Sequence, residues 1–261
     1  MSTRLPSNWG MNFTVGAVPV FKYLESQDVD EVGYTLRTAS LMSGPEDHFD
    51  EFNLSDYELF GIRYLILPSG SRPPVPADEV AVAGPYALWT IPATGYVRVG
   101  TIAGALAADR MDLGARSVAL LRSGLTESGD YLGIVFGQHG AALPPLPRPS
   151  RGRAAGTVTF ENDDLEQGRV SASVAMRRPG VVVLSASFDD GWTATVDGRP
   201  RSTKMVGPAL VATDVPAGTH TIAFRYEGYS GYPELFALSL LTVIAFAGAD
   251  ALRIRSIRSA P

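Results

Sequence analysis

The chain has no cysteine. Disulfide cross-links and thiolate metal sites are thereby excluded, and a zero count is compatible with the outside of a bacterial cell. Histidine is nearly as scarce: the three, at 48, 139 and 220, lie far apart, and none sits in an HExxH spacing. There is no G-x-S-x-G elbow and no P-loop, and no pattern links Ser, His and Asp into a triad. No catalytic residue, no metal site and no cofactor is assigned. A basic face is missing as well. Lys and Arg number 22 against 27 Asp and Glu, a net charge of −5, which argues against a nucleic-acid partner. The N-terminal Met1-Ser-Thr-Arg-Leu-Pro6 has no apolar core of the kind a secretory signal needs.

What the chain does have is turns and one long apolar run. With 27 Gly and 19 Pro, it leans toward β structure with many loops. The apolar run lies at the C-terminal end. No position from Leu235 to Ala249 is charged, and apolar residues fall on every side of a helix rather than along one stripe. Pro233 suits a first helical turn. Tyr226, Tyr229 and Tyr232 precede the run and fit an interfacial belt. Arg253, Arg255 and Arg258 follow it and fit a cytoplasmic flank. Eight Leu, Ile, Val and Phe side chains would supply roughly −2.5 to −5 kcal/mol of insertion free energy. The expectation is a transmembrane helix over 233–252 with a basic cytoplasmic tail, 253–261. The alternative is a buried helix of a packed core. If the arginines lie inside, the preceding residues lie outside. Without a signal of its own, the chain is then expected to be the last piece of a longer membrane protein. A tail-anchored protein with a cytosolic head is the competing arrangement.

Along the chain, residues 1–140 read as a mixed α/β region. Val18–Ser26 suggests a short helix after Pro19, and Tyr34–Arg37 a strand. The acidic stretch Pro45–Glu51 lacks EF-hand spacing and reads as a solvated loop. Ser55–Gly61 predicts a helix capped by Ser55, with Glu58 three residues on and Gly61 past its end. Strands follow at Arg63–Leu67, Tyr86–Ile91 and Tyr96–Ile102, and residues 104–122 are expected to be helical in part, interrupted at Gly114. Residues 141–153 hold four prolines in a short span and read as a semi-rigid linker.

From 154 to 228 the pattern is β throughout. Arg169–Ala175 alternates strictly, with Val170, Ala172 and Val174 on one face. Val181–Phe188 has the most buried character, and Asp197-Gly198 is a strong two-residue hairpin signal. Seven short strands predict an antiparallel β-sandwich. The fold class read from the sequence is thus α+β: a mixed region, a sandwich and a terminal membrane helix. Asn162–Asp164 and Asp189-Asp190 are expected in turns, which Asp and Asn favour for backbone reasons. Trp192, Tyr229 and Tyr232 are the candidates for glycan contact, weighed against a core role for Trp192 and interfacial anchoring for the tyrosines.

Four stretches resemble the C-terminal part of YfhO-like bacterial membrane proteins. They are Leu184–Gly198 with its Gly-Trp and Val-Asp-Gly, Val215–Tyr226 with its Pro-Ala-Gly-Thr-His, Leu59–Ile66, and Gly84–Pro92. That family is polytopic and similar to GT-C glycosyltransferases, whose catalytic acid lies between early membrane helices. The resemblance implies a non-catalytic extracytoplasmic region that shapes or covers a lipid-linked sugar or acceptor site. The implied partners are membrane lipid, a lipid-linked sugar or envelope polysaccharide, and upstream transmembrane helices of the same protein. The implied location is the cell membrane, with the main domains outside and the C-terminus cytoplasmic. A membrane-anchored carbohydrate-binding or structural envelope module without enzyme activity is the alternative.

Overall fold

The computed structural model describes residues 13–27, 42–46, 48–92, 95–108, 113–136, 145–150, 153–228 and 231–258. The chain opens with a two-stranded hairpin, β1 (Thr14–Val15) and β2 (Val18–Pro19), and a short helix α1 (Val20–Glu25). After α2 (Ser43–Glu46) comes α3 (Leu54–Phe60). The expected cap of α3 moves by two residues: the Asn53 side chain, not Ser55, accepts the Ser55 N–H. Gly61 ends the helix as expected, in the left-handed conformation at φ 70°. A three-stranded antiparallel sheet follows, with β5 (Tyr86–Thr90) between β3 (Tyr64–Pro68) and β4 (Asp78–Ala83). The strand expected at Tyr34–Arg37 lies outside the described residues.

Asp56 ties the loop before α3 to the helix. It is 4% exposed and accepts hydrogen bonds from the Asp50 N–H at 2.9 Å and the Asn53 side-chain amide at 3.1 Å. Burial pushes its carboxyl from the ordinary 3.8 up to about 6. A carboxyl raised in the folded state contributes stability that is full below pH 3.8 and is lost as pH rises through about 6. Asp56→Asn keeps one oxygen acceptor and removes the charge. Its thermal midpoint, followed across that window, is expected to lose the parent's decline and to equal or exceed the parent near neutral pH.

The body of the protein is two β layers. One is a closed five-stranded barrel in the order β10 (Gly180–Ser187), β14 (Leu210–Val215), β13 (Thr203–Val206), β7 (Asp130–Phe136) and β6 (Val97–Ala108). The other is an antiparallel sheet in the order β12 (Arg199–Arg201), β11 (Trp192–Val196), β15 (Gly218–Tyr226), β9 (Arg169–Met176) and β8 (Gly156–Asp164). The four-residue apolar run Val181–Leu184 is explained by this stacking. Val181 and Val183 point into the barrel, toward Tyr131, Met205 and Leu210. Val182 and Leu184 point out of it, toward Val170, Val174, Ile222 and Phe224 of the sheet. A strand with a core on each side has no polar face to alternate with. Leu59 and Phe60 of α3 join the barrel's interior core.

Three expectations are corrected here. First, the fold is mostly β, not α+β, and the layer facing the sheet is a closed barrel rather than the second half of a seven-strand sandwich. Strands β6 and β7, from before the Pro-rich segment, complete that barrel with three strands from after it. Secondly, residues 104–108 are the second half of β6, and helix α4 (Leu113–Leu121) begins only afterwards, with Gly114 inside it. The Ala-rich run Ala103–Ala108 favours helix locally, but parallel pairing with β7 overrides that preference. Thirdly, no helix among the described residues is long and apolar enough to cross a membrane, which overturns the transmembrane helix at 233–252. Helix α5 (Tyr232–Arg258) is long, but Glu234 and Asp250 bracket its uncharged stretch and three arginines follow. That stretch rises roughly 22 Å at about 1.5 Å per residue, short of a hydrocarbon core of about 30 Å.

Where the hairpin signal was strongest, the structure follows it. Asp197 and Gly198 both take positive φ, 51° and 73°, as a two-residue turn between β11 and β12 requires. Asp197 also holds the next strand: its carboxylate accepts the Thr221 N–H at 2.9 Å and meets His220 Nδ1 at 2.7 Å. The pair holds the Asp197 carboxyl below 3.8 and the His220 imidazole above 6.5, each chiefly through their shared hydrogen bond. The His220 contribution is full below pH 6.5 and is lost as pH rises through its raised value. The Asp197 contribution is full above pH 3.8 and is lost as pH falls through its lowered value. His220→Ala is therefore expected to lose most stability, relative to the parent, between those two limits. The gap should narrow on either side in urea titrations at stepped pH.

Candidate binding cavity

A cavity of about 1070 Å³ opens between α3 and the three-stranded sheet on one side and the two-layer body on the other. Its apolar end is built by Met42, Phe49, Phe60, Leu65 and Leu88. Phe49 sits edge-on to both Tyr57 and Phe60, at centroid distances of 4.8 and 5.7 Å. Its other end is aromatic and charged, with Arg63, Tyr96, Asp163, Trp192 and Tyr226.

Arg63 organises that second end. It leaves α3 just before β3 and reaches across to β8. One guanidinium nitrogen lies 3.2 Å from Glu161 and 3.4 Å from Asp163, and the guanidinium carbon sits 4.6 Å above the Tyr96 ring. Glu161 is held in turn by the backbone N–H groups of Tyr96, at 2.6 Å, and Val97, at 3.1 Å. Both oxygens are therefore occupied as acceptors, and the carboxylate is a strut between β8, β6 and the Arg63 segment. Gly95 has to be glycine-sized here, because a Cβ would run into the Glu161 carboxylate.

Trp192 and Tyr226 form a tilted aromatic pair, 5.3 Å between centroids. The Trp192 indole N–H donates to the Ser187 carbonyl at 3.2 Å, and its ring is half-buried against the inter-layer core. Trp192 is thus both a core residue and a cavity wall. Tyr226 fits between two glycines: a Cβ on Gly168 or on Gly191 would each come within 2.9 Å of it. Partial burial, then the nearby Asp189 carboxylate, raise the Tyr226 phenol above its usual pKa. The Tyr232 hydroxyl adds to the same rise, and α5 begins six residues after Tyr226.

The other residues singled out from sequence are dispersed. Tyr232 begins α5, exposed and leaning on Phe236 at 6.3 Å. Tyr229 lies outside the described residues. Arg253, Arg255 and Arg258 fall in the last turns of α5. Asn162–Asp164 is the end of β8 rather than a turn; Asp163 faces Arg63, and Asp164 starts the turn by accepting the Gln167 N–H. Asp189 does lie in a turn, accepting the Gly191 N–H at 2.8 Å. No group of metal-ligating side chains is found among the described residues. Sequence reading missed Arg63, Glu161 and Tyr96. Their only local signal is a carboxylate in mid-strand after Phe160, and the partners stand 65 and 98 positions away.

No family model, curated protein or solved structure matches the chain, so neither a YfhO-like nor a glycosyltransferase assignment gains a relative in its favour. What the structure itself provides is a β-rich fold, a mixed apolar and aromatic cavity, and a helix with exposed apolar side chains that follows β15.

Proposed function

We propose that this chain is a non-catalytic, glycan-facing region of a larger cell-envelope protein, held at the extracytoplasmic surface of the membrane, where it shapes or covers a lipid-linked sugar. The observation that carries this reading is the placement of Trp192 and Tyr226 on a cavity wall, with α5 starting six residues after Tyr226. Aromatic faces beside carboxylates suit a hydroxylated ring: the faces take its C–H surface and the carboxylates accept its hydroxyls. The apolar side chains of α5, exposed between 53% and 71% from Leu235 to Phe246, supply contact with lipid or with apolar helices of the same protein. The sequence resemblance to the extracytoplasmic end of YfhO-like proteins supports the same reading.

The test pairs two assays. Incubated with a polyprenyl-phosphate-linked sugar and an acceptor, the chain is expected to transfer no sugar. In cells, Trp192→Ala together with Tyr226→Ala is expected to reduce glycosylation of envelope polymer. Sugar transfer by the chain alone, or envelope glycosylation unaltered by the double substitution, overturns the proposal.

A further inference from the structure

The cavity has two chemically different ends and a charge balance that selects among ligands. The apolar end is walled by Phe60, Leu65 and Leu88, and its one charged lining residue among the described residues is the carboxylate-bearing Glu46. At the other end the single guanidinium of Arg63 already faces two carboxylates, Glu161 and Asp163, with Asp189 beside Tyr226. An anionic head such as a phosphate would meet more negative than positive charge there. A neutral head rich in hydroxyls meets acceptors, a shared donor and two aromatic faces. The volume, about 1070 Å³, lies just above the roughly 300–1,000 Å³ usual for small-ligand sites, enough for a sugar and a chain together.

We infer that the cavity binds a neutral glycolipid. Its sugar head sits among Arg63, Asp163, Trp192 and Tyr226, and its alkyl chain runs along Phe60, Leu65 and Leu88. This rests on the glycan-facing reading and names its ligand class.

The full chain, held in amphipol so that no micelle is present, is titrated with three probes and followed by native mass spectrometry. The probes are dodecyl maltoside below its critical micelle concentration, maltose, and dodecyl phosphate. The glycoside is expected to bind one per chain, at least about tenfold tighter than either other probe. Leu88→Phe narrows the apolar end and is expected to weaken glycoside binding several-fold. Leu65→Phe narrows it from the neighbouring strand and reads the same effect if Leu88→Phe does not fold. Asp163→Asn is expected to weaken the glycoside and strengthen dodecyl phosphate. Several dodecyl chains bound per protein regardless of head, unaltered by both filling substitutions, would mean adsorption on α5 and overturn the inference. Maltose binding as tightly as the glycoside also overturns it, while leaving the glycan-facing function in place. Saturable binding of neither sugar probe overturns both.

Discussion

Glu161→Ala is expected to lower the unfolding free energy by about 3 to 4 kcal/mol. The carboxylate accepts the Tyr96 and Val97 N–H groups and one nitrogen of Arg63. Val97 is almost wholly buried, so its orphaned N–H has no easy route to water. An unpaired buried donor costs about 1–3 kcal/mol, and this substitution strands two amides, while Arg63 keeps only Asp163 as an ion-pair partner. Glu161→Gln retains one acceptor oxygen and should lose roughly half as much. Urea unfolding at low and high salt separates this from a surface ion pair, which contributes no more than about 1 kcal/mol and fades with salt. The Glu161→Ala deficit should persist at high salt, because most of it comes from amides, and a deficit that disappears there would refute the strut.

Gly100→Ala is expected to cost about 3 kcal/mol, the upper end of what overpacking usually exacts. Gly100 sits where β6 passes from antiparallel pairing with β10, opposite Val181, to parallel pairing with β7, starting at Thr101 and Asp130. A Cβ there would strike the Gly129 carbonyl and come within 2.6 Å of the buried Tyr131 ring. Neither can retreat, since one is backbone and the other is packed inside the barrel. Gly84→Ala is the control. It meets nothing within 4 Å, but its φ of 59° disfavours a side chain, so a loss of about 1 kcal/mol is expected. A Gly100→Ala variant no less stable than Gly84→Ala would show that the seam has slack.

Local patterns made much of the fold legible. The Asp197-Gly198 turn, the alternation of Val170, Ala172 and Val174, and the stop at Gly61 each need only neighbours in sequence to be read. The stretch Val181–Phe188 could be read as the most buried, though not as a strand with a separate core on each face. Barrel closure was not legible, because it depends on β6 meeting β10 and β7 in registers that no local residue encodes. The expectation that residues 104–122 are helical in part is met by α4, while residues 104–108 go to β6 because small residues such as Ala and Gly have little conformational preference strong enough to resist pairing. For the cavity, Trp192 could be named as a candidate from its Gly-Trp setting, whereas Arg63 and Glu161 acquire meaning only through each other. The reading of α5 as a membrane span failed on its charges, Glu234 and Asp250, which shorten the uncharged run.

The shared barrel has a bearing on synthesis. On the ribosome β6 is made well before β10, the strand it must lie against between Val97 and Gly100. At about 5–20 residues per second the delay is roughly 4 to 16 seconds. For that interval the edge of β6 and the interior face of β7 have no wall opposite them. A nascent chain in this state is open to premature pairing with its neighbours on a polysome, and a stalled or truncated product ending in the Pro-rich segment keeps that edge permanently. Slow codons or a stop placed between β7 and β10 should therefore lower the yield of folded protein far more than the same pause placed after Tyr226.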